Sequence, residues 1–260
     1  MKPPAGTGVP LADLVEYLDG YLQIGRVPDE ANAVNGLQVQ NGGEVHRIVA
    51  AVDASQEAID GAMGGDAGSP LLLVHHGLLW DGNIPLTGRR FRRIGALLAH
   101  DAALYAAHIP LDLHPEVGNN AVLARRLGVH VTADFGQYRG VPIGLRGTLE
   151  LERDVLVQRL DTLLDTRARL LPGGPSRVRN VAIVTGAASN RIAEAREAGV
   201  DTFITGEGPH HTYFDAMEWG INVIYAGHYA TEQVGVQALA EHVGLRFQLP
   251  WEFHWHPTGL

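Results

Sequence analysis

Short apolar runs alternate along this chain with segments whose apolar positions recur at helical spacing. In VPLADLVEYLDGYL (9–22), Leu11, Leu14, Val15 and Leu18 fall on one face, which predicts a helix. HRIVAAVDAS (46–55) predicts a strand entering a turn, with Ser55 as N-cap of a helix from Gln56 to Met63. PLLLV (70–74) is a continuous apolar run of the kind a parallel sheet buries on both faces. FRRIGALLAHD (91–101) predicts a helix, AALYAAH (102–108) a strand, and NNAVLARRLG (119–128) a helix closed by Gly128.

The order then recurs. NVAIVTGAAS (180–189) predicts a strand, NRIAEAREAG (190–199) a helix, and DTFITGEGPHH (201–211) a strand that reaches two histidines. HTYFDAMEWG (211–220) follows as a helix, INVIYAGH (221–228) as a strand, and TEQVGVQALAEHVG (231–244) as a closing helix. Between the two series lie a strand-like VPIGLRGTLE (141–150), a helix RDVLVQRLDTLLD (153–165) and the Gly/Pro-rich LPGGPS (171–176). A domain edge is expected within 129–179. The fold class expected is α/β, with two pseudo-repeated halves of mostly parallel sheet covered by helices. The first half spans 1–130 and carries His75, His76 and Asp112. The second spans 131–260 and carries His228 and Glu232, with a metal site expected where the two meet.

That expectation rests on side-chain chemistry. PLLLVHHG ends in His75 and His76; AAHIPLD places His108 four residues before Asp112; GHYATE places His228 four residues before Glu232. One histidine at a strand end is ordinarily a packed core residue. An adjacent pair at such an end, with two His-x-x-x-carboxylate units elsewhere, points to divalent metal. Consecutive strand residues face opposite sides, so both imidazoles can serve one centre only where the strand ends, and Gly77 permits that. Two carboxylates from the two halves are natural bridges between two cations. Taken alone, Glu232 would instead be a first-turn acid balancing a helix dipole.

Composition narrows the chemistry further. The 260 residues contain no cysteine, which excludes thiolate zinc sites, iron–sulfur clusters and disulfides, and thirteen histidines, a high count for this length. A net charge of −9 argues against a nucleic-acid surface. The short basic run Arg89–Arg93 reads as a solvated helix start, or as an attractant for an anionic substrate or acidic partner. No apolar stretch is long enough to span a bilayer, and MKPPAGTGVPLADL does not read as a secretory signal, so the cytoplasm is expected.

Several segments taken together resemble the Nif-three-like family, whose members are also called dinuclear-metal-centre hexameric proteins and often carry the name GTP cyclohydrolase type 2 homologue. They are NGLQV (35–39), AVDAS (51–55), LLLVHHGLLW (71–80), AAHIPLD (106–112), VTGAAS (184–189), TGEGPHH (205–211) and GHYATEQVG (227–235). They occur in family order from about residue 10 to residue 250. The resemblance implies metal ligands at His75, His76, Asp112, His228 and Glu232, with Asp112 and Glu232 as bridging acids. It implies two divalent ions per chain (Zn, Mn, Fe, Co or Ni) and a homo-hexamer. Many members have proline where this chain has Gly77, which is expected to loosen that loop. His108 is expected as a pocket or supporting group, although the duplication would also allow it as a ligand.

The expected activity is metal-dependent hydrolysis of a nucleotide or related small molecule. In the family reading the substrate is a guanine nucleotide whose imidazole ring is opened, with His108, Glu207 or His211 moving protons. His210 and His211 are equally open to substrate contact or packing. The turn 185–190 could hold a phosphate on its amides, although such turns are mostly structural. The alternative is a non-catalytic, ring-shaped metal-binding protein that stores, delivers or senses metal, or binds a partner.

Overall fold

The computed structural model describes residues 8–64 and 68–260. Residues 1–7, which hold half of the stretch read against a secretory signal, lie outside the described residues. Two compact units divide the chain. One runs to Leu111 and resumes over Val236–His256; the other comprises Asp112–Gly235 and Pro257–Leu260. This division differs from the expected edge within 129–179, and it assigns Asp112 to the second unit. The stretch 129–179 carries no break because three of its strands, His130–Tyr138, Val141–Glu152 and Arg169–Pro172, belong to the second unit's sheet.

The first unit is built on a five-stranded sheet in the order Trp251–Phe253, Arg47–Asp53, Pro70–His76, Ala103–Ala106, Gly36–Val39. All neighbours are parallel except the last pair. Leu71, Leu72, Leu73 and Val74 are fully buried, as a continuous apolar run between two covered faces requires. One face packs on Ala58, Ile59 and Ala62 of the helix Gln56–Ala62 and on Leu97 of the helix Gly88–Ala99. Ser55 caps the first of these helices, its hydroxyl accepting from the Ala58 amide at 3.1 Å. The tail His254–His256 continues from the edge strand, where the His254 amide donates to the Ala50 carbonyl at 2.8 Å.

The second unit has a six-stranded mixed sheet in the order His130–Tyr138, Val141–Glu152, Arg177–Ile183, Thr202–Thr205, Asn222–Tyr225, Arg169–Pro172. Its three strands Arg177–Ile183, Thr202–Thr205 and Asn222–Tyr225 are mutually parallel, and the other pairings are antiparallel. Phe203, Ala182 and Val223 pack against Ile192, Ala195 and Ala216 from the covering helices. Both units therefore contain three adjacent parallel strands in chain order. In each, an antiparallel strand from earlier in the sequence flanks the third. The repeated element order of the sequence corresponds to this shared core, and in each unit a histidine follows its third strand: His108 and His228.

The Arg89–Arg93 run does not form one basic patch. Arg89 pairs with Asp81, while Arg90 is buried and donates to the carbonyls of Gly82 and Ile84 at 2.8 and 3.1 Å. No helix among the described residues is long and apolar enough to cross a membrane.

Candidate metal centre

Three imidazoles converge in the first unit. His75 and His76 end the strand Pro70–His76, and their ring centroids are 4.7 Å apart. His108 follows the strand Ala103–Ala106, with its ring 5.0 Å from His75 and 5.6 Å from His76. One nitrogen from each lies within 4.8 Å of those of the other two, so the trio can hold a metal ion. Trp80 forms a wall, edge-on to His108 at 4.9 Å and to His76 at 5.8 Å.

Each ring is held by an oxygen at Nδ1. His75 Nδ1 meets the Ala107 carbonyl at 2.9 Å, and His75 itself is fully buried. His76 Nδ1 meets Asp53 Oδ1 at 2.8 Å, and His108 Nδ1 meets Asp29 Oδ1 at 2.8 Å. A carbonyl or carboxylate oxygen can only accept, so Nδ1 carries the hydrogen and Nε2 holds the lone pair of the neutral ring. That is how metal-binding histidines are oriented and made more basic. The donor set therefore fits a divalent cation. Asp53 is the register partner of His76 on the neighbouring strand. Asp29 sits in a loop and takes two donors on each oxygen. Oδ1 accepts from the Glu30 amide and His108; Oδ2 accepts from Asn35 Nδ2 at 2.7 Å and the Ile109 amide at 3.0 Å.

Gly77 does more than loosen its loop. A Cβ there would overlap the Gln38 side-chain amide. Gln38 clamps the turn, accepting from the Leu78 amide at 2.7 Å and donating to the Ala33 and Val34 carbonyls. Glycine leaves room for that clamp.

In the second unit the last helix begins at His228, earlier than expected, so Glu232 lies one turn inside it. Glu232 is thus not a first-turn acid exposed to solvent: its side chain is 4% exposed, and its Oε2 is 3.2 Å from His228 Nε2. His228 Nδ1 is held by Glu207 Oε1 at 2.7 Å, the same pattern as in the trio. Burial pulls the His228 pKa down, but hydrogen bonds and charge from Glu232 and then Glu207 outweigh it and push the value up to about 9. Two carboxylates facing one imidazole favour its charged form.

Asp112 ends a short helical turn, Ile109–Asp112. Its Oδ1 accepts from Asn119 Nδ2 at 2.8 Å and from the Thr185 hydroxyl at 3.3 Å. Thr185 and its neighbour Gly186 therefore serve both acids. Gly186 has a φ of +68°, and a Cβ on it would overlap Glu232 Oε1 and approach His228 Nε2 to 3.4 Å. The turn was a candidate phosphate cradle, but the Gly186 and Ala188 amides donate instead to the Thr231 and Thr205 hydroxyls. Gly186→Ala should displace the Glu232 carboxylate and strain the backbone. The expected outcome is a large fall in bound metal, measured by elemental analysis, together with a lowered melting temperature. Full metal content in that variant would remove Gly186 from any role in shaping the site.

The remaining candidates are placed as follows. Glu207 is tied to His228, with a half-exposed side chain, so it orients an imidazole. His210 is exposed and stands edge-on to Phe214. His211 is exposed at the start of the helix Thr212–Trp219 and makes no side-chain cap bond. Sequence reasoning missed Asp29, Asp53 and Trp80. Asp53 and Trp80 lie within AVDAS and LLLVHHGLLW, two segments of the family resemblance, but nothing in those segments singled them out; Asp29 carried no signal.

The chain is similar to several known proteins along nearly its whole length. The family model described as Duf34/NIF3 (NGG1p interacting factor 3) matches residues 9–258. A protein of Deinococcus radiodurans named GTP cyclohydrolase 1 type 2 homolog is 43% identical over 250 residues, 95% of this chain and 94% of its own. Among solved structures, protein ybgI, described as of unknown function, superposes with a TM-score of 0.88 at 34% identity, covering 97% of this chain and all of its own. A Thermus thermophilus protein superposes with a TM-score of 0.86 at 40% identity, again over 97% of this chain and all of its own.

Proposed function

Because the chain belongs to the Duf34/NIF3 family, we propose that it is a binuclear metal-dependent hydrolase acting on a nucleotide or a related small molecule. His75, His76, Asp112, His228 and Glu232 would hold two divalent cations shared between the two units. The observation that carries the reading is the common anchoring of four imidazoles, His75, His76, His108 and His228, each through Nδ1 to an oxygen. Such anchoring costs conformational freedom and is what keeps nitrogen lone pairs aimed at a cation. The absence of thiolates leaves a mixed nitrogen and oxygen donor set that accepts Zn, Mn, Fe, Co or Ni.

A pair of such cations would supply an activated water near neutral pH and would polarise the bond to be cleaved. The chain's own groups do the rest. Asp29 and Asp53 hold protons on His108 Nδ1 and His76 Nδ1, fixing both rings. Glu207 does the same at His228 Nδ1 and, being half exposed, is placed to pass a proton to solvent. His108 is proposed to contact either metal or substrate through its other nitrogen, and His211 to reach substrate from its exposed position. Trp80 excludes water from one side of the imidazole trio. The name shared by relatives suggests a guanine nucleotide as substrate.

A homo-hexamer belongs to the same proposal. The exposed Phe91 and Leu98 on the helix Gly88–Ala99, with Leu86 just before it, suit a face buried between copies. The test is a panel of nucleotides and phosphoesters assayed with added Mn, Zn, Fe or Co. Turnover that His75→Ala abolishes is the expected result. A fully metallated protein that turns over no substrate would instead favour metal storage, delivery or sensing.

A further inference from the structure

A second feature of the Asp112–Gly235 unit lies beside the His228 anchor. A cavity of about 400 Å³ opens at the carboxyl ends of two parallel strands, lined by Arg169, Gly208, His210, Thr212, Tyr213 and Tyr225. Its volume is that of a small-molecule cleft, not of a macromolecular interface. The carboxyl end of a parallel sheet is also where such folds collect ligands.

The polar groups in this cavity are selective. Tyr225 donates its hydroxyl hydrogen to Thr212 Oγ1 at 2.5 Å, and Thr212 donates its own to the Pro209 carbonyl at 2.6 Å. Both of these hydroxyl hydrogens are therefore committed, which leaves Arg169, His210 and the Tyr213 hydroxyl as the side-chain donors in the lining. Arg169 is the cross-strand register partner of Tyr225, and its side chain has no hydrogen-bond or ion-pair partner among the described residues. Arg169 is exposed at the cavity rim, so its guanidinium is open to an anion that enters, and a bidentate acceptor suits its planar fork. Asp215 is close enough to act on Tyr225, yet it does not pair with Arg169. The rings of Tyr213 and Tyr225 supply flat, partly apolar walls.

The cavity is also joined to the metal-binding groups by a single peptide. Gly208 follows Glu207, whose carboxylate holds His228. A Cβ on Gly208 would overlap the Tyr225 hydroxyl, so the loop backbone lies directly on the cavity wall. Tyr225 therefore lies against the residue that follows, in the chain, the anchor of a proposed metal ligand.

We propose that this cavity seats the anionic group of the substrate, with Arg169 as its determinant, and that the substrate class is a small aromatic or heteroaromatic phosphate or carboxylate. This rests on the hydrolase reading above and adds to it the recognition of charge and ring. The geometry gives Arg169 a role in binding, not in bond cleavage.

The test is titration calorimetry of the full chain, as purified with its metals, against phenylphosphonate, benzoate and phenol, with elemental analysis of every sample. Phenylphosphonate or benzoate should bind while phenol does not, and the stronger of the two identifies the anion. Arg169→Gln should weaken that binding by at least about tenfold, the ratio one lost charge-assisted hydrogen bond produces. Arg169→Lys should recover part of it, and Tyr225→Leu should weaken it independently by removing the ring. Metal content should stay unchanged in Arg169→Gln. Equal affinity in wild type and Arg169→Gln, or anions binding no better than phenol, would overturn the proposal even if metal is present. Binding that depends on Arg169 in a protein that never takes up metal would leave the cavity standing and sink the hydrolase reading.

Discussion

Asp29→Asn should destabilise the protein by about 2–4 kcal/mol, because two donors would face an amide hydrogen whichever way the new side chain turns. The native carboxylate is almost closed off, with 6% of its side chain exposed, and each oxygen accepts from two donors. Burial alone would raise its pKa, but His108, Asn35 and the Glu30 amide outweigh that and hold it below the ordinary 3.8. The sign of the pH effect follows. A carboxyl whose folded pKa is depressed stabilises the fold above its unfolded value, and that contribution disappears as pH falls through the folded value. The gap in unfolding free energy between wild type and Asp29→Asn should therefore narrow as pH falls below 3.8. Denaturant unfolding at a series of pH values from neutral down through that range measures it. A gap that persists at the acid end would mean that packing, not the charge, is responsible.

Glu232→Gln should cost at least about a hundredfold in metal affinity, beyond the roughly 10–100-fold typical of groups that only support a ligand. The variant keeps shape and volume, so the fold should survive. It removes the buried negative charge that faces His228 Nε2 at 3.2 Å. Two readouts separate a lost ligand from general disruption. Elemental analysis should show depleted metal, while the variant keeps the circular dichroism of the wild type. In the metal-free state the His228 pKa should fall from about 9, because Glu232 supplies the largest of the effects that raise it. Unchanged metal content would exclude Glu232 as a ligand.

The parallel cores were legible because burial on both faces demands unbroken apolar runs such as Leu71–Val74, and those runs stand out in any sequence. The flanking strands were not. His130–Tyr138 buries only Phe135 and Gly136, so it lacks the alternation that identifies a half-buried strand. Arg169–Pro172 is four residues long and runs into Gly/Pro punctuation that reads as loop. The division into units was hidden for a related reason: the helix His228–Phe247 is continuous across the point, after Gly235, where the chain passes from one unit to the other.

At the site, the histidines were legible because they sit at strand ends, where their chemistry contrasts with the apolar residues before them. Their anchors were not. Asp29 lies 79 residues from His108 and Asp53 lies 23 from His76, and no spacing rule links side chains that meet only through the fold. The role of Gly186 was equally hidden, since a glycine in a strand-to-helix turn reads as a turn residue until a carboxylate is found against it.

The proposed chemistry depends on imidazoles from one unit and carboxylates from the other being bound by the same pair of cations. Anomalous diffraction at the metal absorption edge, from crystals of protein purified without chelator, tests this most directly. The account predicts two peaks per chain about 3.5–4 Å apart, ligated by His75 and His76 on one side and by Glu232, His228 and Asp112 on the other. A single peak held only by His75, His76 and His108, or no anomalous signal at all, would contradict it.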